Sequence, residues 1–309
     1  MKQQSSYRQK IAQQSMIYWM LLLPVVIYLA LIVLPDLPSS PMLRDAFWAG
    51  KFETDTLEDV VFIGDSRVYR GIDPQVFTRY TKLRSRNFGF SSASPDSLLI
   101  EHAIKSLSFS GKKILVIAVS ANAFMDGSVD NTHFKSVQSW SAPDKWIKQH
   151  VYPSISFFDH RSVSDIYKHF KGEAYFENYD IYSGFAASRR VPADSGSALN
   201  AYRKQFERTH YLQTAERNFK QYVIHLKLSG YHPVIIRVPC AQAMIELEDF
   251  ATNNAIPRLM NELKEAGVSV IPYSSKNLTS YDGSHLDDTS AKAYSIRLSQ
   301  DILKMMKQF

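Results

Sequence analysis

The sequence predicts an α/β domain built on a parallel sheet. Short apolar runs that end in turn residues recur along the chain, and amphipathic segments of helical length separate them. One run, KKILVIAVS at 112–120, is apolar almost throughout, as a strand covered on both faces must be. The bulk composition agrees. Over 309 residues, 45% are hydrophobic and 21% charged, which excludes wholesale disorder, a collagen-like repeat and a coiled-coil rod. The one cysteine, Cys240, excludes an intramolecular disulfide framework and a cysteine-based zinc site.

Taken in order, the chain opens with a tail, 1–15, that holds Lys2, Arg8 and Lys10 and no acid. Residues 16–34, MIYWMLLLPVVIYLALIVL, are nineteen positions without a charge. As a helix they reach roughly 28 Å, close to the hydrocarbon thickness of a bilayer. They lack the polar stripe a buried core helix would show. The expectation is a single transmembrane anchor with the basic tail in the cytoplasm and the rest exported. A cleaved export signal is the alternative. Its apolar region is usually shorter and ends in a small-x-small site, whereas Pro-Asp-Leu-Pro follows here. The tail carries +3 of the formal +6, so the remainder has 33 bases against 30 acids. That excess is too small to argue for a nucleic-acid partner.

Residues 35–57, punctuated by Pro35, Pro38 and Pro41, read as a stalk whose Phe47, Trp48 and Phe52 either touch the membrane surface or pack on the domain. The domain is expected over 58–309. Strands are predicted at 59–64, 85–90, 112–120, 233–239 and 268–273. Helices are predicted at 74–81, at 94–109 with Ser94 as cap, at 203–229, at 245–266 and at 288–307. Residues 123–202 interrupt this rhythm. From Phe124 to Phe185 there are fourteen aromatics in 62 residues, about 23% against 13% overall. They are read as an insertion with its own small core, aromatic for packing more than for a sugar groove.

Three features carry chemistry. Gly64-Asp65-Ser66 follows a predicted strand directly, which puts Ser66 at the C-terminal edge of the sheet, where open α/β sheets place ligands. Asp282-Gly283-Ser284-His285 precedes the final helix. Asp and His three apart on one loop can meet through Nδ1 and leave Nε2 for a serine. Gly89 and Asn122 each follow a strand at the same edge. With the Ser66 N–H they could form an oxyanion hole. Each feature alone is also ordinary turn or cap chemistry. Arg67 and Arg70 flank the candidate nucleophile, either as ligands for an anionic or polyhydroxyl substrate or as ion-pair partners of Asp65, Asp73 or Glu101. Arg237, in a buried strand, must be paired or reach the sheet edge, where it is a further candidate for binding substrate. Position 68 is valine, so there is no Gly-x-Ser-x-Gly elbow. Phosphate-loop, dinucleotide and HExxH motifs are absent, and His150, His160 and His169 do not share a helical face, so no cofactor or metal is predicted.

Together these residues resemble the SGNH (GDSL-like) hydrolase family over about 58–122 and 233–309. Ser66 matches that family's nucleophile, Gly89 its glycine, Asn122 its asparagine, and Asp282 and His285 its terminal Asp-x-x-His. The family's Gly-x-Asn-Asp is here Ser120-Ala121-Asn122-Ala123, and the residues after Ser66 are Arg-Val-Tyr-Arg rather than a leucine-rich run. In both respects the chain is more similar to anchored SGNH proteins of cell-envelope acylation, the DltD-like group and the partners of membrane-bound O-acyltransferases. The resemblance implies a flavodoxin-like three-layer α/β/α domain and an acyl-serine esterase or O-acyltransferase acting, by analogy through acetyl groups, on an envelope or extracellular polysaccharide. D-alanyl transfer to a teichoic-acid-type polymer is one alternative, and a non-catalytic glycan-binding or assembly subunit is another. The partners it implies are the bilayer, a glycan and an integral-membrane acyltransferase that passes an acyl group outward, because no acyl-CoA is supplied there.

Overall fold

The computed structural model describes residues 16–27, 29, 40–52, 57–156, 159, 167, 171–172 and 174–307. Its strands are, in chain order, β1 (Val60–Gly64), β2 (Ser85–Gly89), β3 (Ile114–Ala118), β4 (Ala174–Asp180), β5 (Phe185–Val191), β6 (His232–Ile236) and β7 (Ser269–Val270). Its helices are α1 (Pro41–Gly50), α2 (Ser66–Gly71), α3 (Pro74–Thr81), α4 (Ser97–Ile104), α5 (Thr132–Gln138), α6 (Ala142–His150), α7 (Tyr152–Ile155), α8 (Ser197–Phe206), α9 (Gln213–Leu228), α10 (Gln242–Ala251), α11 (Ala255–Glu265) and α12 (Asp288–Met306).

Five strands make one parallel sheet in the order β2-β1-β3-β6-β7. Side chains alternate across the strands, so Val61, Ile63, Leu115 and Ile117 enter one core while Val60, Phe62, Ile114 and Val116 enter the other. Phe219, Val223, Leu259 and Leu263 of α9 and α11 close the first face; Phe77 of α3 and Tyr294, Leu298 and Ile302 of α12 close the second. This is the predicted three-layer α/β arrangement. The chain runs from β1 outward to β2 and then returns past β1 to β3. The crevice of the sheet therefore opens between the C-terminal ends of β1 and β3.

Several expectations are corrected. Residues 40–52 are not stalk. Pro41 starts α1, Ser40 caps it by accepting from the Leu43 N–H at 3.1 Å, and Phe47 and Trp48 are buried in the first core. Lys51 is fully buried, donating to the carbonyls of Asn87 and Gly184. The insertion has no separate core over its described residues, because Phe124, Phe134, Val137 and Tyr179 join that same core. Residues 16–27 are helical and exposed. Among the described residues no helix is long and apolar enough to cross a membrane. Residues 28 and 30–34 of the expected span, and the tail 1–15, lie outside the described residues.

Helix boundaries move for local reasons. Asp96, not Ser94, caps α4, accepting from the Leu99 N–H at 2.9 Å, while the Ser94 backbone is held by the Asn131 amide. Leu107 leaves the helix to bridge Glu58. The run 203–229 breaks at 207–212, where Tyr211 bridges Met125. The run 245–266 breaks where Asn253 and Asn254 take positive φ.

Candidate active site

The turn after β1 is built to present Ser66. Gly64 cannot carry a side chain, because a Cβ there would lie 2.6 Å from Val68 Cγ2. Asp65 then caps α2, its Oδ1 accepting from the Arg67 N–H at 2.9 Å, and its Oδ2 accepts from Ser120 Oγ at 2.8 Å. One carboxylate thus ties the Ser66 turn to the end of β3. Ser66 opens α2 at the mouth of the β1/β3 crevice.

The histidine loop closes on itself. The N–H groups of Ser284 and His285 both donate to Asp282 Oδ1 at 2.8 Å, and Ser280 Oγ donates to the His285 carbonyl at 2.7 Å. Gly283 lies in the left-handed region at φ 94°, where a Cβ would sit 2.2 Å from the Ser195 carbonyl. The loop aims His285 Nδ1 at Asp282 Oδ2, 2.7 Å away, and Nε2 at Ser66 Oγ, 2.8 Å away. Asp282 fixes the proton on Nδ1, so bare Nε2 accepts from the serine hydroxyl. Ser66, Asp282 and His285 therefore form one hydrogen-bonded row.

Burial tunes both titrating groups. It acts to raise the Asp282 pKa, but hydrogen bonds and charge from His285 prevail and hold it at about 2. It lowers the His285 pKa below 6.5, assisted by the charges of Arg70 and Arg67 and opposed by Asp282. His285 is thus a neutral acceptor at neutral pH.

The predicted oxyanion donors divide. The Ser66 N–H makes no hydrogen bond within the described residues. Asn122, buried in the 3₁₀ turn after β3, accepts from Gln205 Nε2 through its Oδ1 at 2.6 Å, which leaves its Nδ2 donor available. Gly89 does not fit the role. Its N–H donates to Asn87 Oδ1 at 2.9 Å, and a Cβ on it would lie 2.6 Å from the Tyr69 nitrogen, so it is the point of closest approach of α2 to β2.

The arginines divide as well. Arg67 and Arg237 take the ion-pair alternative and are not placed to bind substrate, and the partner of Arg67 is Glu248 rather than Asp65, Asp73 or Glu101. Arg67 Nη2 lies 2.6 Å from Glu248 Oε1, Arg237 Nη2 2.8 Å from Glu248 Oε2, and Arg237 Nη1 2.8 Å from Asp249 Oδ1. Arg70 does reach the site. Its Nε pairs with Glu177 Oε1 of the β4–β5 hairpin at 2.9 Å, and its Nη1 is 3.3 Å from His285 Nε2. The Tyr281 ring stacks beside His285 with centroids 5.9 Å apart.

Sequence reasoning missed Glu177, Glu248, Ser284 and Gln205. Glu248 had a readable signal, an acid on the apolar face that Met244 and Ile245 define. Glu177 and Gln205 had none, since each reaches the site only through the fold.

No protein-family model matches the sequence, and no curated protein does. The solved structures that the chain resembles include the following three. One is assigned to the lipolytic G-D-S-L family, from Desulfitobacterium hafniense, at 12% identity, covering 78% of this chain and 97% of that one, with a TM-score of 0.37. A family two carbohydrate esterase from Clostridium thermocellum is 11% identical, over 82% of this chain and 66% of that one, with a TM-score of 0.34. An acetyl xylan esterase from Butyrivibrio proteoclasticus is 8% identical over the same shares, with a TM-score of 0.33.

Proposed function

We propose that the chain is a serine-dependent acyl esterase or O-acyltransferase that works through an acyl-serine on O-acetyl esters of an envelope or extracellular polysaccharide. The observation that carries this reading is the hydrogen-bonded row Asp282–His285–Ser66 at the β1/β3 crevice. His285 Nε2 takes the proton of Ser66 Oγ as that oxygen attacks the ester carbonyl. Asp282 stabilises the imidazolium. The Ser66 N–H and Asn122 Nδ2 receive the developing oxyanion. His285 returns the proton to the departing alcohol. Water or a sugar hydroxyl then repeats the sequence on the acyl-serine, which gives hydrolysis or transfer. A D-alanyl group would follow the same cycle.

The apolar run 16–34 supports a membrane anchor with the catalytic domain outside the cytoplasm. There the acyl donor is a lipid, a polymer or an integral-membrane acyltransferase. The test is labelling of the full chain in detergent with a fluorophosphonate probe. Wild type is expected to label, and Ser66→Ala and His285→Ala are not. Equal labelling of Ser66→Ala sinks the nucleophile assignment. A Ser66→Ala strain whose envelope polysaccharide keeps a normal ester content sinks the substrate class.

A further inference from the structure

Ser66 and His285 are separated by 219 positions, the first opening α2 and the second on the loop before α12. Their 2.8 Å contact needs something that holds the two segments in register. Arg70 reaches His285 directly, with Nη1 3.3 Å from Nε2, and a second, fully enclosed side chain spans both segments from behind. Arg67, adjacent to the nucleophile and only 2% exposed, donates through Nε to Ser284 Oγ at 3.0 Å and through Nη2 to Glu248 Oε1 at 2.6 Å. Ser284 adjoins His285 and donates its own N–H to Asp282. Glu248 is 0% exposed on α10 and is held from its other oxygen by Arg237, at the end of β6.

We propose that Glu248 is a positioning residue that, through Arg67, locks the nucleophile turn to the histidine loop and so sets turnover rather than substrate affinity. The inference rests on the serine-enzyme reading above. Three physical points support it. A fully buried carboxylate is an expensive way to fill space, since a buried ion pair is often no more stabilising than apolar residues of the same volume. Each Glu248 oxygen faces a different guanidinium, which fixes the carboxylate plane and with it the Arg67 fork. The fork's other arm ends on the catalytic loop itself, not on a remote surface.

The experiment compares the full-length chain in detergent with its variants, using an aryl acetate for kcat and KM and a fluorophosphonate for the reactivity of Ser66. Glu248→Gln, Arg67→Lys and Ser284→Ala are made singly. Arg67→Met with Glu248→Met removes the pair together and leaves Arg237 on Asp249. Arg67→Lys keeps the charge but cannot reach both partners with one planar fork. Glu248→Gln, Arg67→Lys and the double variant should lose about 10- to 100-fold in kcat, the scale of a small misplacement of reacting groups. KM should hold, and the double variant should melt near wild type. Ser284→Ala, which cuts only the last link, should lose less. A double variant with wild-type kcat overturns the inference, whether or not Glu248→Gln folds. So does a loss expressed in KM and melting temperature with kcat intact. Wild type that neither turns over nor labels overturns the serine-enzyme reading itself, and this inference with it.

Discussion

Gly89 offers the sharpest test of how the site is held, because two readings of it predict opposite outcomes for one methyl group. As an oxyanion donor it would tolerate alanine, which keeps the N–H. As a spacer it would not. The added Cβ would lie 2.6 Å from the Tyr69 nitrogen, 2.9 Å from the Asp65 carbonyl oxygen and 2.9 Å from Val68 Cβ. Ordinary contact begins near 3.4 Å, so the deficit against Tyr69 is 3.4 − 2.6 = 0.8 Å. Two of the three obstacles are backbone atoms of the nucleophile turn, which cannot swing aside. The turn is also clamped, because Asn87 Nδ2 donates to the Val68 and Ile72 carbonyls at 2.8 and 2.9 Å.

A displacement of α2 by that amount along the Ser66–His285 line stretches the contact from 2.8 Å to about 3.6 Å, beyond hydrogen-bond reach. Gly89→Ala is therefore expected to slow fluorophosphonate labelling about 100-fold. Overpacking should cost about 1–3 kcal/mol. In a domain of this size that lowers the melting temperature by roughly 3–10 °C. A variant that melts and labels like wild type refutes the spacer assignment.

Other outcomes follow from the same geometry. Asn122→Ala should lower kcat about 100- to 1000-fold with little change in KM; Gln205→Ala, which only releases the amide, should cost less, and an unchanged kcat in Asn122→Ala excludes it from the hole. Turnover requires neutral His285, whose pKa is lowered by burial, so the acid limb of kcat/KM should have its midpoint below pH 6.5, and a midpoint above 6.5 contradicts the assignment. Arg70→Gln removes a cation that faces Nε2, so the acid limb should move to higher pH; a limb that does not move removes Arg70 from the electrostatics of the base. Asp282, held at about 2, contributes stability that is complete above its ordinary 3.8 and lost as pH falls through about 2, and an acid-unfolding curve of Asp282→Asn should lack that component. Phe47→Ala should cost about 3–5 kcal/mol, measured by denaturant unfolding, whereas a stalk residue would cost almost nothing.

The sheet was legible because its strands are covered on both faces, and continuous apolar runs such as ILVIA leave few other readings. The hydrogen-bonded row Asp282–His285–Ser66 was legible because both halves are local. Asp65 and Ser66 share one turn, and Asp282 and His285 share one loop, so sequence spacing already encodes most of the geometry. What the sequence concealed was supplied by approach through space. Nothing beside Arg67 in the sequence points to Glu248, 181 positions away, and nothing beside Arg70 points to Glu177, 107 positions away. Gly89 was ambiguous because a glycine that donates its N–H and one that makes room for a neighbour look alike at a strand end. Tertiary bridging by Tyr211 and the positive φ of Asn253 and Asn254 decide where the runs 203–229 and 245–266 break.

The burial of α1 and Lys51 also fixes a length. With residues 16–34 as the proposed anchor, the leash between bilayer and domain is not 35–57, twenty-three residues, but 35–39, five. At about 3.5 Å per fully extended residue, the farthest the domain can stand from the membrane drops from roughly 80 Å to roughly 17 Å. On that proposal such a tether would hold the Ser40 end of the domain, where α1 begins, within that distance of the bilayer.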